Sequence, residues 1–245
     1  MKTLSYHTFP VFTPFPEVVA RSYERGGGHS HPPYDSLNGS FFVGDEKESV
    51  LQNWEKVRLD TGLSEIYSPN LEHGCRSVEI TKSLRKKTIV SDAIFTFEDN
   101  LALAMTHADC QVALLYDPSS QMLGIIHAGW RGLMQEIYLR ALETFAKRGA
   151  AVAKMRIGIS PSIGPNHAEY KEYQTIFPKK YWDYHIGENR FDFWRLAHDQ
   201  LVKGGVLKKH ISLQRVCTVS SKAHFSYRRD KVTGRCITII GKTCP

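Results

Sequence analysis

Three side chains that can bind a metal or activate a nucleophile lie beside short apolar runs. Cys110 precedes the run Val112–Tyr116, and His127 closes the run Met122–Ile126. Upstream, His73 offers a further imidazole next to a glycine. We interpret His73, Cys110 and His127 as converging on one site, around which the remainder of the chain builds walls.

Three interpretations of these side chains remain open from the residues alone. Two imidazoles and one thiolate suit Zn²⁺ and leave a fourth coordination position for water or substrate. Positions 73, 110 and 127 do not, however, form a compact metal-binding motif. A cysteine nucleophile beside a histidine base would use the same atoms. A free cysteine is also a common core residue.

Two further polar groups are candidates for ligand contacts. The segment SYRRDKVTGR brings Arg228, Arg229 and Arg235 together, and guanidinium forks suit phosphate or carboxylate. A hairpin with Asp230–Thr233 as its turn and Arg–Asp surface pairs explains the same segment equally well. An HxH pair, His29 and His31, lies in a Gly/Pro-rich loop, where such pairs are more often exposed than bound to a metal.

The composition is that of a soluble globular protein, and because no linker divides the chain we expect one domain. Hydrophobic residues make up 42% and charged residues 23% of the 245 residues. The apolar runs are shorter than the roughly 20 residues of a membrane span, and the N-terminus lacks the apolar region of a signal peptide. Five cysteines without a CxxC pair favour free thiols in a reducing cytoplasm.

The net charge of +7 favours anionic small molecules as binding partners. Lysine and arginine are spread along the chain in small clusters, and no spacing typical of a nucleic-acid-binding fold is present. We therefore expect no nucleic acid and no membrane among the partners, and a monomer or a weak homo-oligomer.

Hydrophobic spacing predicts a mixed α/β fold. Asp45 and Glu48 form a predicted capping box for a helix that Gly62 ends, and Trp130–Phe145 reads as one helix beginning directly after His127. Further helices are expected around Tyr170–Phe177 and over Phe193–Lys203. The predicted strands are Ser77–Thr81, Asp92–Phe97, Leu101–Thr106, Val112–Tyr116, Met122–His127, Met155–Ser160, Val216–Val219 and Ile237–Ile240. Residues 1–20 read as an extended edge segment. Because the central connections are short, the sheet cannot be all parallel.

Six segments follow one another in a recognisable order, namely RSYERGGGHSHPPYDSLN, EHG, SDAIFTFEDNLALAMTHADCQVALLYD, HAGWRG, GISPSIGP and HFSYRRDKVTGR. Together they resemble the YfiH-type laccase-domain family, which also carries the label multicopper polyphenol oxidase. The resemblance extends from about Arg21 to Gly241, nearly the whole chain. The combination of ADC, HAGWRG and SYRRD with TGR is specific to this family.

The resemblance implies a fold, a metal site and an activity. The fold is a single-domain mixed β-sheet sandwich flanked by helices, of the type shared with the catalytic domain of cytotoxic necrotizing factor. The metal is zinc, held by His73, Cys110 and His127. The activity is phosphorolysis of adenosine, inosine, guanosine and methylthioadenosine, together with deamination of adenosine. A role in correcting peptidoglycan precursors is also implied for bacterial members.

Copper chemistry fits the residues less well than zinc chemistry. A blue-copper oxidase binds several coppers through many histidines, commonly in several HxH pairs, whereas this chain has one HxH pair among 11 histidines. The family's usual Gln near the first ligand is Leu71 here, and its usual Cys-Cys-Tyr after the proline turn is Asn166-His167-Ala168. These departures concern substrate preference rather than the ligands.

The leading hypothesis is a zinc-dependent purine nucleoside enzyme. His73, Cys110 and His127 carry the catalysis and the metal, and the substrate contacts are assigned to Arg228, Arg229, Asn38 and Arg131. Asp92 and Asp109 are expected to orient an imidazole or the substrate. We interpret Trp130 as a core residue. The alternatives are a cysteine hydrolase acting on a cell-wall precursor, a non-catalytic zinc-binding scaffold, and a copper-dependent polyphenol oxidase.

Overall fold

The computed structural model describes residues 3–243 and contains two β-sheets with helices on their outer faces. The strands are β1 (Tyr6–His7), β2 (Val18–Tyr23), β3 (Glu65–Tyr67), β4 (Ser77–Glu79), β5 (Ala93–Thr96), β6 (Leu101–His107), β7 (Gln111–Asp117), β8 (Met122–Ala128), β9 (Arg156–Ile159), β10 (Ile211–Leu213) and β11 (Cys236–Lys242). The helices are α1 (Lys47–Thr61), α2 (Trp130–Met134), α3 (Ile137–Lys147), α4 (Tyr173–Ile176), α5 (Phe193–Lys203) and α6 (Tyr227–Asp230).

Both sheets are mixed, as the sequence predicts. One has the strand order β1-β2-β11-β6-β3, and the other has the order β10-β9-β7-β8-β5-β4. The edge pairs β3·β6, β4·β5 and β9·β10 are parallel, whereas the central pairs are antiparallel. A short connection joins β6 to β7, yet these two strands lie in different sheets. The chain therefore changes sheets directly before Cys110.

The two sheets face each other across an apolar layer. Leu103 of β6 and Ile240 of β11 share this layer with Leu114 of β7 and Ile125 of β8. On the outer face of the six-stranded sheet, α3 and α5 pack in a second cluster, and α1 covers the outer face of the other sheet. The result is a sandwich flanked by helices, the architecture that the sequence predicts.

The start of α1 differs from the predicted capping box. The helix begins after Glu46, whose side chain makes no capping hydrogen bond. Asp45 instead accepts hydrogen bonds from the Glu46 backbone N–H and from the Asn38 side chain. The predicted end is confirmed, because Gly62 has φ 69° and closes the helix in the left-handed conformation.

The single helix predicted over Trp130–Phe145 is wrong. The structure breaks it into α2 and α3, and Glu136 between them has φ 60°. Apolar residues continue at helical spacing across the break, so periodicity could not reveal it. The sharp change of direction lets α2 lie at the end of β8 while α3 packs along the sheet.

Several smaller predictions also need correction. Val216–Val219 is not a strand, since Cys217 makes only an isolated bridge to Ser162. The neighbouring strand β10, which the sequence did not indicate, pairs with β9. The hairpin interpretation of residues 224–235 is wrong, because α6 (Tyr227–Asp230) lies where the first strand of the hairpin would be. The helix expected around Tyr170–Phe177 shortens to α4.

The N-terminal segment is extended only in part. β1 lies at a sheet edge, but Pro10–Phe12 forms a 3-10 helix and β2 begins at Val18. Residues 1 and 2 lie outside the described residues. None of the helices formed by residues 3–243 combines the length and apolarity needed to cross a membrane.

Candidate functional site

The three predicted ligands meet at one end of the six-stranded sheet. Cys110 directly precedes β7, and His127 is the second-last residue of β8, shortly before α2. His73 lies in the loop before β4. One ligand atom of each side chain lies within 4.8 Å of those of the other two. In the part of the chain that the structure describes, this is the one group of at least three potential ligands.

Asp92 connects the two histidines from the residue before β5. Its side chain accepts hydrogen bonds from the backbone N–H groups of Glu72, His73 and Gly74 at 3.2, 3.0 and 2.9 Å. It also contacts His127 Nδ1 at 2.8 Å, which leaves Nε2 of that ring for a metal or a proton. Burial alone would raise the pKa of Asp92, but the hydrogen bonds from His127 and the loop lower it.

Cys110 and His127 each shift the pKa of the other in the direction that favours its charged form. Burial opposes ionisation of Cys110, but His127 and His73 lower the pKa of its thiol to about 6. Burial likewise opposes protonation of His127, yet Cys110 and Asp92 raise its pKa to about 9. A deprotonated thiolate is the form that binds metal and attacks electrophiles.

The donor set and its surroundings fit a zinc ion. Two imidazoles and one thiolate supply three bonds and leave one coordination position open, as in catalytic rather than structural zinc sites. Asp92 orients one ligand ring, which is the usual role of a carboxylate behind a zinc-bound histidine.

The glycine after His127 makes the close approach of these ligands possible. A Cβ atom at Gly129 would lie 3.1 Å from Cys110 Sγ and 3.1 Å from His73 Cδ2. In the same turn, a Cβ at Gly132 would lie 3.1 Å from the carbonyl oxygen of Gly74. Both glycines of HAGWRG therefore leave room for the ligands or for the loop that carries them.

A cavity of about 1100 Å³ opens over the three ligands. Aromatic side chains supply part of its wall, including Trp130 and Tyr170, whose ring centroids are 5.9 Å apart. Trp130 is only partly buried, so interpreting it solely as core misses its contact with the cavity. Faces of this kind suit a heterocyclic ring.

Two of the predicted substrate-contact residues line the cavity. The Arg131 guanidinium lies 4.1 Å from the centroid of the Trp130 ring. The guanidinium of Arg228 donates to the carbonyl oxygens of His167 and Glu169 and lies 5.2 Å from the Tyr170 ring centroid. Both cations therefore present charge to the cavity, and the two carbonyl contacts fix the position of Arg228.

The other two, Arg229 and Asn38, do not line the cavity. The Arg229 guanidinium donates to four backbone carbonyls, including those of Thr218 and His224, and pairs with Asp230. Asn38 is fully buried, and its side-chain carbonyl accepts from the backbone N–H of Arg235 at 2.9 Å. These contacts stabilise the wall of the cavity and leave neither side chain to contact a ligand.

Asp109 also stabilises the wall of the cavity. Its carboxylate accepts from Thr218 Oγ1 at 2.6 Å and from the backbone N–H of Arg228 at 2.6 Å. Lys231 and Tyr227 also line the cavity, and neither was identified from the sequence. Arg235 lines it as well; the sequence indicated this residue as part of the arginine-rich segment but assigned it no substrate contact. His29 and His31 belong to no group of three potential ligands within residues 3–243.

Comparison with known proteins places the whole chain among one group of relatives. A purine nucleoside phosphorylase of Streptomyces griseus is 32% identical over 222 residues, which cover 86% of this chain and 89% of that protein. Among solved structures, a Neisseria meningitidis protein superposes with TM-score 0.86 and 28% identity, covering 99% of this chain and 100% of that one. YlmD from Geobacillus stearothermophilus gives TM-score 0.85 and 27% identity over 95% and 94% of the two chains.

The family assignment covers the same extent of the sequence. The model of the multi-copper polyphenol oxidoreductase laccase family matches residues 19–243, which include the three potential ligands and the arginine-rich wall. Solved relatives carrying the names YfiH and YlmD share the two-sheet architecture. The chain therefore belongs to the multi-copper polyphenol oxidoreductase laccase family, in agreement with the YfiH-type resemblance of its motifs.

Proposed function

We propose that this protein is a zinc-dependent purine nucleoside phosphorylase that also deaminates adenosine. The observation that carries the proposal is the compact group of His73, Cys110 and His127, oriented by Asp92, at the base of a cavity with aromatic and cationic walls. The names of the relatives add support, since several are called purine nucleoside phosphorylases.

The residues of the cavity have separable tasks in this proposal. His73, Cys110 and His127 would hold zinc, which supplies a Lewis acid and lowers the pKa of a bound water to about 7. Trp130 and Tyr170 offer ring faces to the purine, and the cationic wall binds phosphate. In phosphorolysis, a phosphate oxygen bonds to C1′ of the ribose while the bond from C1′ to the purine nitrogen breaks.

The same cavity accommodates water as the second reactant. In deamination, water adds to C6 of the adenine ring and ammonia leaves. Among residues 3–243, one group of three potential ligands provides for one metal ion, whereas the oxidase chemistry of several coppers requires more ligands. The copper-dependent alternative is therefore the weaker match to this site.

The proposal is tested by a nucleoside panel on purified protein of known metal content. Adenosine, inosine, guanosine and methylthioadenosine are incubated with and without phosphate, and the products are separated by chromatography. We expect free base and ribose 1-phosphate (or its methylthio analogue) only with phosphate, and inosine from adenosine in either case. Cys110→Ala should abolish both activities, whereas Cys75→Ala, which removes a thiol outside the cavity lining, should retain them.

Zinc-loaded protein that converts none of these nucleosides would contradict the proposal. One observation favours a second candidate, a cysteine hydrolase with Cys110 as nucleophile and His127 as base, namely the low pKa of the Cys110 thiol. That candidate predicts a covalent adduct on Cys110 during turnover of an amide substrate by metal-free protein, detectable as a mass increase of the peptide that contains Cys110.

A further inference from the structure

Four cationic side chains line the cavity without a carboxylate partner. They are Arg131, Arg228, Lys231 and Arg235. Among the ion pairs formed by residues 3–243, none includes any of these four side chains. Arg228 and Arg235 are partly buried, whereas Arg131 and Lys231 are exposed. Since charge at a partly buried position is costly without a counter-ion, Arg228 and Arg235 favour an anionic ligand in the cavity.

Backbone carbonyls of its own segment hold the Arg235 side chain in place. One terminal nitrogen of its guanidinium donates to the carbonyl oxygens of Thr233 and Gly234 at 2.8 and 3.0 Å. Within the described residues the guanidinium makes no other hydrogen bond, so its remaining donors are available to a group in the cavity. The two carbonyls fix the side chain without neutralising its charge.

The backbone beneath Arg235 is also held in place. The Arg235 N–H donates to the buried Asn38, and Asn38 in turn donates to Asp45 and to the Ser40 carbonyl. This chain of hydrogen bonds gives a structural reason for an asparagine at position 38, because it positions the residue that faces the cavity. A bidentate guanidinium contact requires such a fixed approach.

Lys231 and Arg235 lie beside the same aromatic ring, and together with Arg228 they form what we call the cationic rim of the cavity. The Lys231 Nζ atom lies 5.6 Å from the Tyr227 ring centroid, and the Arg235 guanidinium carbon lies 5.8 Å from it. Arg228 follows Tyr227 directly in α6. By contrast, the adjacent Arg229 is occupied by carbonyls and Asp230, so it cannot serve this rim.

We propose that Arg228, Lys231 and Arg235 form an oxyanion-binding subsite of the cavity, in which the Arg235 guanidinium fork contacts a tetrahedral oxyanion directly. The identification of phosphate as the oxyanion used in turnover rests on the proposed phosphorolysis. The recognition of a tetrahedral oxyanion rests only on the cationic rim.

Binding of inorganic phosphate to the full-length, zinc-loaded protein without nucleoside tests the subsite. Isothermal calorimetry should show saturable binding by the parent. We expect Arg235→Gln to weaken phosphate binding at least about tenfold, and Arg235→Lys to weaken it as well because a lysine lacks the fork. The matched control is Lys222→Gln, which removes an exposed cation from the same segment outside the cavity lining and should bind phosphate like the parent.

Parent-like affinity in both Arg235 variants, confirmed as folded by thermal melting, would overturn the proposal, and so would an equal loss in Lys222→Gln. Steady-state kinetics separates this outcome from failure of the proposed function. If nucleosides are cleaved but the phosphate KM is unchanged in Arg235→Lys, the subsite is wrong and the function stands. If phosphate binding depends on Arg235 but no nucleoside is cleaved, the subsite stands and the function is wrong.

Discussion

At the scale of single residues, Asp92 does more for the candidate metal site than any other residue that is not a ligand. One carboxylate fixes the ring of His127 and, through three backbone N–H groups, the loop that carries His73. Both contacts need acceptor oxygens, and the buried position excludes competing water. The same carboxylate therefore sets the positions of two proposed ligands that lie far apart in sequence.

Asp92→Asn should weaken zinc binding about 10- to 100-fold, the usual effect of losing a carboxylate behind a ligand. An amide retains one acceptor oxygen and places an NH2 group where the second oxygen lay, so it cannot accept from the His127 ring and from all three loop N–H groups. Titration with a competing chromophoric chelator measures the affinity. The matched control is Asp117→Asn, which alters another fully buried carboxylate at the far end of β7 and should leave zinc affinity unchanged. Parent-like zinc affinity in Asp92→Asn would contradict this role.

At the scale of elements, the candidate site depends on where strands end. Continuous apolar runs predicted β5 to β8 closely, because both faces of these strands are buried. The placement of β6 in the other sheet was not predictable, since the short connection before Cys110 looks like a hairpin. Sequence patterns predict the strands themselves. The sheet that β6 joins depends instead on its long-range pairing with β3 and β11.

The candidate ligands could be predicted, but the sequence could not decide which of Arg228 and Arg229 lines the cavity. His73, Cys110 and His127 are rare residue types at strand ends, and the family resemblance joins them. Arg228 and Arg229, by contrast, are identical neighbours in sequence. The helical turn of α6 directs one toward the cavity and the other toward four carbonyls. This distinction depends on the backbone conformation of the arginine-rich segment, for which a hairpin was one of the two interpretations.

Gly129→Ala tests whether the start of α2 must approach the ligands. The added Cβ would lie 3.1 Å from both Cys110 Sγ and His73 Cδ2, so these side chains must move apart. We expect zinc affinity to fall at least about tenfold, while the midpoint of thermal unfolding of the metal-free protein changes by only a few degrees. Gly26→Ala, where a Cβ meets nothing within 4 Å, is the control. An undiminished zinc affinity in Gly129→Ala would show that the ligands tolerate the methyl group.

At the scale of the whole molecule, the two ends of the described chain pair within one sheet. β11 lies between β2 and β6, so the C-terminal strand joins the N-terminal strands to the middle of the chain. The segment before β11 carries the cationic wall, and it is tied to the N-terminal region by His224, which contacts His7 at 3.1 Å. A hydrogen bond from the Arg25 N–H to the Ala223 carbonyl reinforces this connection.

The His7–His224 contact should make the protein sensitive to acid. Burial, His7 and Arg229 lower the pKa of the buried His224 to about 4, compared with 6.5 for an unperturbed imidazole. Between pH 6.5 and about 4 the unfolded chain therefore binds a proton at this position that the folded chain does not. Consequently, the stabilisation present above pH 6.5 is lost as the pH falls through this window, by up to about 1.4 kcal/mol per pH unit.

Denaturant melts of the parent and of His224→Gln at pH 6.5 and pH 4.5 measure this effect. His224→Gln removes the titrating ring, so its free energy of unfolding should fall less between the two pH values than that of the parent. His31→Gln, which replaces an exposed histidine, should follow the parent. Equal losses in the parent and in His224→Gln would assign the acid sensitivity to other groups. The smaller loss would show that protonation at His224 weakens the tie between the N-terminal strand and the cationic wall.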